Sequence, residues 1–585
     1  MKKIIYLAIA AILFSSCEDL LDTKSYTKSN TGNYPQSSGD AIELVTGIYT
    51  TMNTAITDVS HTYFYAAELA SDDRFGGGGE NDKDFQVLDH LLYTNANRFT
   101  PFWEARYSGI SRANMALANL DKVEDELMRN QLIGEALILR AYFYSELTQM
   151  FERIPLITSV PSSVDEAKEY PAQASVEEIY AFIAKDLKEA ISIMPSRRWN
   201  ETISGEGHVT KWVAQGLLAR VFLFYTGFYG KDSLPLMDEE GTISGSISKQ
   251  EVIDALNDCI ANSGHSLLPD FRSLWAYSNS VSKRDYPYVQ DAPDWARDGS
   301  NPEQVFVVKH THLASWSKTG YSNQYMLHFG IRSTGAADQY KNVFPFGQGW
   351  GAGPVSPALW NEWRNAEPND MRREASILDA ASQTENYQWG ADAMMEETGF
   401  WQKKIVAVTG AKNYNADGSI NNLYNSFTSS TEYYGDGEND DMALGHAIDL
   451  NLMRFADILL MHSELTQTAD GLNQVRTRAG LPSVSYSDQV LRNERRFELA
   501  FEGTRWADIR RWGIAETALT RQLGVTIYNR GVATTMKDQG AGYVERYRLT
   551  KGFMPIPDSE IQLSDGALTQ NPGWDNSAVF VTWTD

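Results

Sequence analysis

Apolar residues recur at helical spacing in two stretches of the chain, one before residue 265 and the other after residue 446. In the first stretch this spacing predicts helices over residues 102–120, 131–151 and 210–227. Two more helices are predicted after Ser175 and Ser248, because each serine precedes a glutamate by three residues in the pattern of a capping box. Alternating helices of this kind indicate a scaffold of paired helices.

In the second stretch the same spacing predicts helices over residues 452–465, 472–479 and 490–503. Between the two stretches Gly, Pro, Asn, Asp and Trp dominate, with short strand-like runs such as residues 305–308. The fixed period of a tetratricopeptide array is not visible. The pattern therefore predicts a mainly α protein, in which a loop-rich, aromatic-rich lobe is inserted between helical pairs.

These patterns divide the chain into five segments. They are a signal peptide at residues 1–17, a flexible tether at 18–39, an N-terminal helical-pair region at 40–265, an irregular ligand-binding lobe at 266–445 and a C-terminal helical region with its tail at 446–585.

The first seventeen residues have the order of a secretory signal. Lys2 and Lys3 precede an apolar run over residues 4–14, and small residues then lead to Cys17. The apolar run is too short for a transmembrane helix, which needs about 20 residues. A cysteine at this place resembles a bacterial lipobox, so Cys17 is expected to carry the lipid, although an ordinary cleaved signal with a chance cysteine is the alternative. The acidic run after it resembles a surface-export signal of Bacteroidetes lipoproteins.

The charge of the chain argues against nucleic acid as a partner. The net charge is −25, and removal of residues 1–17 takes away Lys2 and Lys3 but no acid, which leaves −27. Nucleic-acid phosphates and anionic lipids both select basic surfaces, so a neutral ligand fits better. With Cys17 acylated, Cys259 is the remaining cysteine, and its place on an apolar helix stripe predicts a small buried side chain.

Several segments, spread over nearly the whole chain, resemble the SusD/RagB family of outer-membrane nutrient-binding lipoproteins. They occur in the family's order behind the lipobox, and they are residues 134–144, 154–156, 210–220, 452–461, 473–482, 494–512, 554–557 and 570–574. His462-Ser463-Glu464 departs from the family's usual Ala-Glu-Ala.

The resemblance implies a scaffold of four tetratricopeptide-like helix pairs, with the ligand held by loops and by the irregular lobe. It further implies a lipid-anchored protein on the extracellular side of the outer membrane. Members of the family lie as lids on a SusC-like TonB-dependent transporter and hold glycans, or peptides in the RagB branch. The resemblance implies no catalysis.

The sequence carries no pattern that predicts catalysis or a cofactor. H-E-x-x-H, G-x-S-x-G and P-loop patterns are absent, and His310 with His312 is too little for a zinc site. Asp436, Glu438 and Asp440 have calcium-like spacing, but Asp441 stands where an EF-hand requires Gly. A solvated acidic turn is therefore the favoured interpretation, with a structural calcium as the alternative.

The charged block at residues 494–505 is assigned to the scaffold. Its acids and arginines are spaced to pair across adjacent helical turns, while Phe497 and Phe501 share an apolar face.

Sugar capture requires flat aromatic faces beside planar polar groups. The irregular lobe concentrates aromatic residues, and from these Trp275, Trp295, Trp316 and Tyr286 are predicted to contact ligand, with Trp350 ranked below them. The alternative for each is packing within the lobe.

Three polar residues, Asp72, Asp73 and Arg74, follow the first long helix and are further candidate ligand contacts, although such a loop also serves to cap a helix. The sequence thus leaves four hypotheses open: a glycan-binding lipoprotein, which is favoured, a peptide-binding relative, a surface glycoside hydrolase and a purely structural lid.

Overall fold

The structure is a computed structural model, and it describes residues 34–53, 58–163, 165, 168–297, 299–311, 313–332, 343–384, 387–408, 416–417 and 444–580. The predicted lipidation site Cys17, most of the tether, His312 and the acidic turn at residues 436–441 lie outside these ranges. Within the described residues, no helix is both long enough and apolar enough to cross a membrane.

The N-terminal part is built from helices that pack side by side. These helices are α1 (Ser38–Tyr49), α2 (Tyr63–Leu69), α3 (Lys83–Asp89), α4 (Thr100–Leu117), α5 (Glu126–Phe151), α6 (Val176–Ile193), α7 (Lys211–Tyr229) and α8 (Lys249–Asn262). Both predicted capping boxes are confirmed, because Ser175 with Glu178 begins α6 and Ser248 with Glu251 begins α8. Cys259 is buried on α8, as its apolar stripe predicts.

The central part contains short helices, among them α9 (Gln324–His328), α10 (Pro357–Ala366), α11 (Met371–Ser376) and α12 (Ala380–Gln383). The C-terminal part returns to helices packed on the N-terminal ones. They are α13 (Phe455–Thr466), α14 (Asp470–Arg478), α15 (Asp488–Glu498), α16 (Arg505–Arg511), α17 (Ala515–Thr520), α18 (Tyr543–Thr550) and α19 (Asp558–Leu563).

The strands of the described residues form two-stranded pairs only. The antiparallel pairs are β1 (Leu234–Met237) with β2 (Ile243–Ile247), β3 (Gln304–Val308) with β8 (Leu450–Arg454), β6 (Ile377–Asp379) with β7 (Phe400–Gln402) and β9 (Thr526–Asn529) with β10 (Val532–Thr535). A short parallel pair joins β4 (Ile331–Arg332) to β5 (Gln348–Gly349). The fold is therefore mainly α, as predicted.

Two predicted helix boundaries are wrong. The predicted helix at 452–465 begins only at Phe455, because residues 452–454 belong to strand β8, which pairs with β3 from the irregular region. The last predicted helix ends at Glu498, and the chain then turns through Phe501 and Gly503, whose φ angles are 67° and 75°. Pairing with the distant strand β3 thus delays the start of the first helix, and the left-handed backbone at Phe501 and Gly503 lies beyond the end of the second.

The hydrophobic core has one large cluster shared by the N-terminal and C-terminal helices, with α5 buried over most of its length. A second, smaller cluster is formed by side chains between Phe271 and Val408. The aromatic residues at its start lie in short 3-10 turns, at Phe271–Leu274, Ala276–Ser278, Ser282–Arg284 and Pro287–Val289. The irregular region thus has a core of its own.

Buried ion pairs join these parts. Arg454 at the end of β8 contacts Glu303 (2.6 Å), Glu498 (2.9 Å) and Glu502 (2.6 Å), and all four side chains are buried. Glu498 also accepts a hydrogen bond of 2.9 Å from Arg372 of α11. The charged block after residue 494 therefore pairs mainly with other elements of the fold rather than with its own adjacent turns. Breaking such buried pairs costs about 3–5 kcal/mol.

Candidate functional site

The polar loop at residues 72–74 is buried. Asp72 accepts hydrogen bonds from Arg505 Nε (2.7 Å) and Nη2 (2.8 Å), and Asp73 lies 2.6 Å from Arg496. Arg74 Nε lies 2.7 Å from Glu68. Burial opposes the charge on Asp72, but the arginines around it hold the pKa of that carboxyl well below its usual range.

The side chains of Asp72, Asp73 and Arg74 are at most 2% exposed. Asp72 and Asp73 are paired with Arg505 and Arg496, and Arg74 is paired with Glu68, so burial and these ion pairs do not support direct ligand contact by the three residues. They instead hold the turn after α2 against α15 and α16.

Two of the predicted aromatic contacts are also inside the protein. Trp275 and Trp295 are 3% and 6% exposed. The ring of Trp275 packs at 5.7 Å from Phe271, and the Lys404 ammonium lies 4.9 Å from its centroid. A covered ring cannot stack on a sugar, so packing of the lobe, the alternative stated for these two residues, is the interpretation that their burial supports.

Tyr286 is half-buried at the edge of the same cluster. Its ring lies 5.8 Å from Phe346, and its hydroxyl accepts a hydrogen bond of 3.3 Å from Lys403. Burial lowers the pKa of Lys403 to about 7.

Trp316 and Trp350 have exposed rings. Trp316 is 70% exposed on the loop at residues 313–321, and it shares this loop with the exposed Leu313 and the partly exposed Tyr321. Trp350 is 37% exposed and follows β5. The structure places these two tryptophans on different loops.

The ring of Trp350 packs against the imidazole of His328. Its centroid lies 4.6 Å from that of His328, the last residue of α9, and its backbone N–H donates to Leu327 at 2.8 Å. Burial lowers the pKa of His328 to about 4, which keeps its imidazole neutral under the indole at neutral pH. The ring is thus fixed by backbone as well as by packing.

Planar polar groups lie beside the backbone of Trp350. Arg332 Nη1 donates to the carbonyl of Trp350 at 2.9 Å and to Asp82 Oδ2 at 2.8 Å. The side chains of Arg332 and Asp82 are 19% and 33% exposed, so both are partly accessible to solvent. We name Trp350, His328, Arg332 and Asp82 the Trp350 surface.

The glycine run at residues 76–79, just before Asp82, leaves the space that the Arg332 side chain occupies. A Cβ atom on Gly79 would lie 2.4 Å from Arg332 Nη2, and one on Gly77 would lie 2.4 Å from the carbonyl oxygen of Gly351. The sequence showed the glycines but gave no sign that Asp82, His328 and Arg332 would meet Trp350. These three residues were missed because they come together from segments distant in sequence.

A second opening lies on the N-terminal helical region. It has a volume of about 350 Å³ and is lined by Trp199, His208, Lys309 and Asn301 among others. A smaller cavity of about 90 Å³ lies in the scaffold among Glu146, Arg220 and Arg495. A cavity of this volume is suited to water rather than to a large ligand.

Two family models match the sequence. One, described as the SusD family, matches residues 361–574, and another, described as starch-binding associating with outer membrane, matches residues 19–223. The SusD-like protein P2 of Formosa agariphila is 22% identical to the chain, with 92% of this chain and 93% of that protein covered. A SusD-like protein of Bacteroides ovatus is also 22% identical, with 87% and 82% covered.

The fold is shared with solved structures. A laminarin-binding SusD-like protein superposes with a TM-score of 0.63 at 24% identity, over 92% of this chain and all (100%) of that chain. Surface glycan-binding protein A from Bacteroides thetaiotaomicron, in complex with laminarihexaose, gives a TM-score of 0.64 at 18% identity, over 92% and 99%. Family models that match its N-terminal and C-terminal parts, together with this fold, show that the chain belongs to the SusD family.

Proposed function

We propose that this protein is a non-catalytic, cell-surface lipoprotein that captures a poly- or oligosaccharide and delivers it to a partner SusC-like, TonB-dependent transporter in the outer membrane. The Trp350 surface is the proposed site of first contact. Trp316 on its separate loop is proposed as a further aromatic contact for a long chain.

The observation that carries this proposal is the exposed Trp350, whose backbone carbonyl accepts a hydrogen bond from Arg332, which is itself paired with Asp82. A sugar ring presents C–H groups on its face and hydroxyl groups at its edge, so an aromatic face with planar polar neighbours matches both. The overall negative charge also fits a neutral ligand better than an anionic one.

The relatives support the same function. One is named as laminarin-binding, one was solved with laminarihexaose, and one family model is described as starch-binding with outer-membrane association. The lipid on Cys17, the outward orientation and the transporter partner are proposed from the lipobox and the family resemblance.

Affinity electrophoresis tests the proposal. The protein without residues 1–17 is run through native gels that contain laminarin, xyloglucan or starch. We expect retardation by one polymer, and Trp350→Ala should weaken binding by about 5- to 30-fold, the equivalent of about 1–2 kcal/mol. Trp199→Ala, which removes an aromatic ring from the second opening, is the matched control and should bind as the unchanged protein does.

Other outcomes distinguish the alternatives. If Trp199→Ala abolishes retardation and Trp350→Ala does not, the site is in the second opening. Binding of peptides but of no polysaccharide would favour the RagB-like function. Release of reducing ends from the polymer would show a glycoside hydrolase and contradict the proposal.

A further inference from the structure

Three side chains that can ligate a metal ion meet inside the protein, below the Trp350 surface. Asp89 is the last residue of α3, His90 follows it, and Glu396 comes from the loop after Met394. One ligand atom from each lies within 4.8 Å of the other two. All three side chains are at most 1% exposed.

No lysine or arginine of the described residues forms an ion pair with this cluster. Among the described residues, His90 is the ion-pair partner that the structure shows for both Asp89 and Glu396. Buried carboxylates elsewhere in the fold, such as Asp72 and Glu498, contact arginine. Two buried carboxylates without a cation are costly, so the cluster requires either a proton or a metal ion.

Several oxygen atoms in the cluster lack a hydrogen bond of good geometry. Within the described part of the chain, they are both carboxylate oxygens of Asp89, Oε1 of Glu396 and the hydroxyl of Tyr543. The ring of Tyr543 stacks on His90 at 5.0 Å with an interplanar angle of 20°. In contrast, the equally buried Glu135 accepts hydrogen bonds from Tyr49 (2.9 Å) and Gln131 (2.8 Å).

The spacing of the ligand atoms fits a small divalent ion. His90 Nε2 lies 3.3 Å from Glu396 Oε1 and 3.7 Å from Asp89 Oδ1. Ligands at the usual zinc bond length of about 2.0–2.1 Å are about 3.3–3.4 Å apart in a tetrahedron. Imidazole suits zinc, whereas calcium prefers oxygen ligands throughout.

We propose that Asp89, His90 and Glu396 bind a structural zinc ion, with the fourth position taken by water. The ion joins the segment after α3 to the loop that carries Glu396. This site is independent of the proposed glycan binding and would exist whichever ligand the surface holds.

The backbone around the cluster shows what the ion would stabilise. Glu396 Oε2 accepts a hydrogen bond of 2.9 Å from the N–H of Gly77, and Met395 N–H donates to the carbonyl of Gly78 at 2.9 Å. The same glycine run continues to Gly79 against Arg332. A zinc ion would therefore fix the loops on which the Trp350 surface is built.

A proton is the competing occupant. Burial and the neighbouring Glu396 raise the pKa of Asp89 well above its usual range, so a protonated Asp89 could satisfy the pair in place of a metal. The two states differ in metal content, which can be measured directly.

The test is elemental analysis of the full-length protein purified without chelators. We expect about one zinc ion per chain, reduced about tenfold or more in His90→Gln and in Glu396→Gln. His462→Gln is the matched control, since His462 lies on the surface and bonds to Asn257 at 2.9 Å. It should keep the zinc.

If the cluster variants fail to fold, thermal unfolding of the unchanged protein decides. A chelator should lower the melting temperature, and added Zn²⁺ but not Ca²⁺ should restore it. Zinc content below about 0.1 per chain with no response to Zn²⁺ would overturn the proposal in favour of the proton. Zinc that is retained in folded Glu396→Gln and His90→Gln would overturn it as well.

Discussion

The indole of Trp350 lies on the imidazole of His328 with their centroids 4.6 Å apart, and the same tryptophan accepts a hydrogen bond of 2.9 Å from Arg332 at its carbonyl. An exposed aromatic ring is therefore held from two sides before any ligand arrives. Preorganisation of this kind lowers the entropy cost of binding. A ring that is already fixed loses little freedom on binding, so even the shallow surface proposed here can hold a ligand.

We predict that Gly79→Ala weakens glycan binding by a few-fold, about 1 kcal/mol or less. The added methyl group would meet Arg332 Nη2 at 2.4 Å, so the guanidinium must move away from Asp82. Titration calorimetry with the bound polymer measures the effect. Gly47→Ala, where a Cβ meets nothing within 4 Å, is the control. Equal affinity of both variants would contradict a role for the Arg332–Asp82 pair.

We predict that Trp275→Ala lowers the free energy of unfolding by about 3–5 kcal/mol, since it leaves a cavity in the smaller core. Trp316→Ala should change it by less than about 0.5 kcal/mol, because that ring is in solvent. Urea unfolding followed by circular dichroism measures both. If Trp275→Ala has normal stability but no longer binds glycan, Trp275 contacts the ligand and the packing interpretation is wrong.

We predict that Asp72→Ala costs about 3–5 kcal/mol of unfolding free energy, because it removes the carboxylate that the buried Arg505 contacts at 2.7 Å and leaves Asp73, at 3.8 Å, as the nearest acid shown for that guanidinium. Asp165→Ala removes an exposed acid that pairs with Lys168 at 3.2 Å, and it should cost less than about 1 kcal/mol. Chemical denaturation compares the two variants. If both have the same small effect, the buried network contributes little to stability.

We predict a loss of stability in acid that depends on Asp457. Burial opposes its charge, but Arg220 and Arg495 lower the pKa of Asp457 from 3.8 to about 2. A depressed folded-state pKa stabilises the protein above about pH 4, and this contribution of about 2 kcal/mol is lost as the pH falls towards 2. Unfolding of the unchanged protein and Asp457→Asn, measured from pH 6 to 2, should show curves that converge in acid. Parallel curves would contradict this assignment.

The helical scaffold could be predicted because its signals are local. Capping boxes at Ser175 and Ser248 and apolar stripes along α4 to α8 depend on neighbours a few residues away. Strand β8 was predicted as helix because its partner β3 lies well over a hundred residues earlier. Local patterns cannot show such pairing.

The proposed binding surface is harder to predict for the same reason. Trp275 and Trp316 both stand in irregular, polar sequence, yet Lys404 and Phe271 cover the first and leave the second exposed. Arg332 and Asp82 are 250 residues apart and meet only in the fold. The glycine run at residues 76–79 permits the close approach of Arg332 and Gly351, which only the structure shows.

The ion pair between Asp72 and Arg505 spans 433 residues. A carboxylate near the start of the chain therefore acquires its partner only after most of the polypeptide is available. The turn after α2 can therefore dock on α16 only once the C-terminal helices are available, so the first and last parts of the chain complete the fold together.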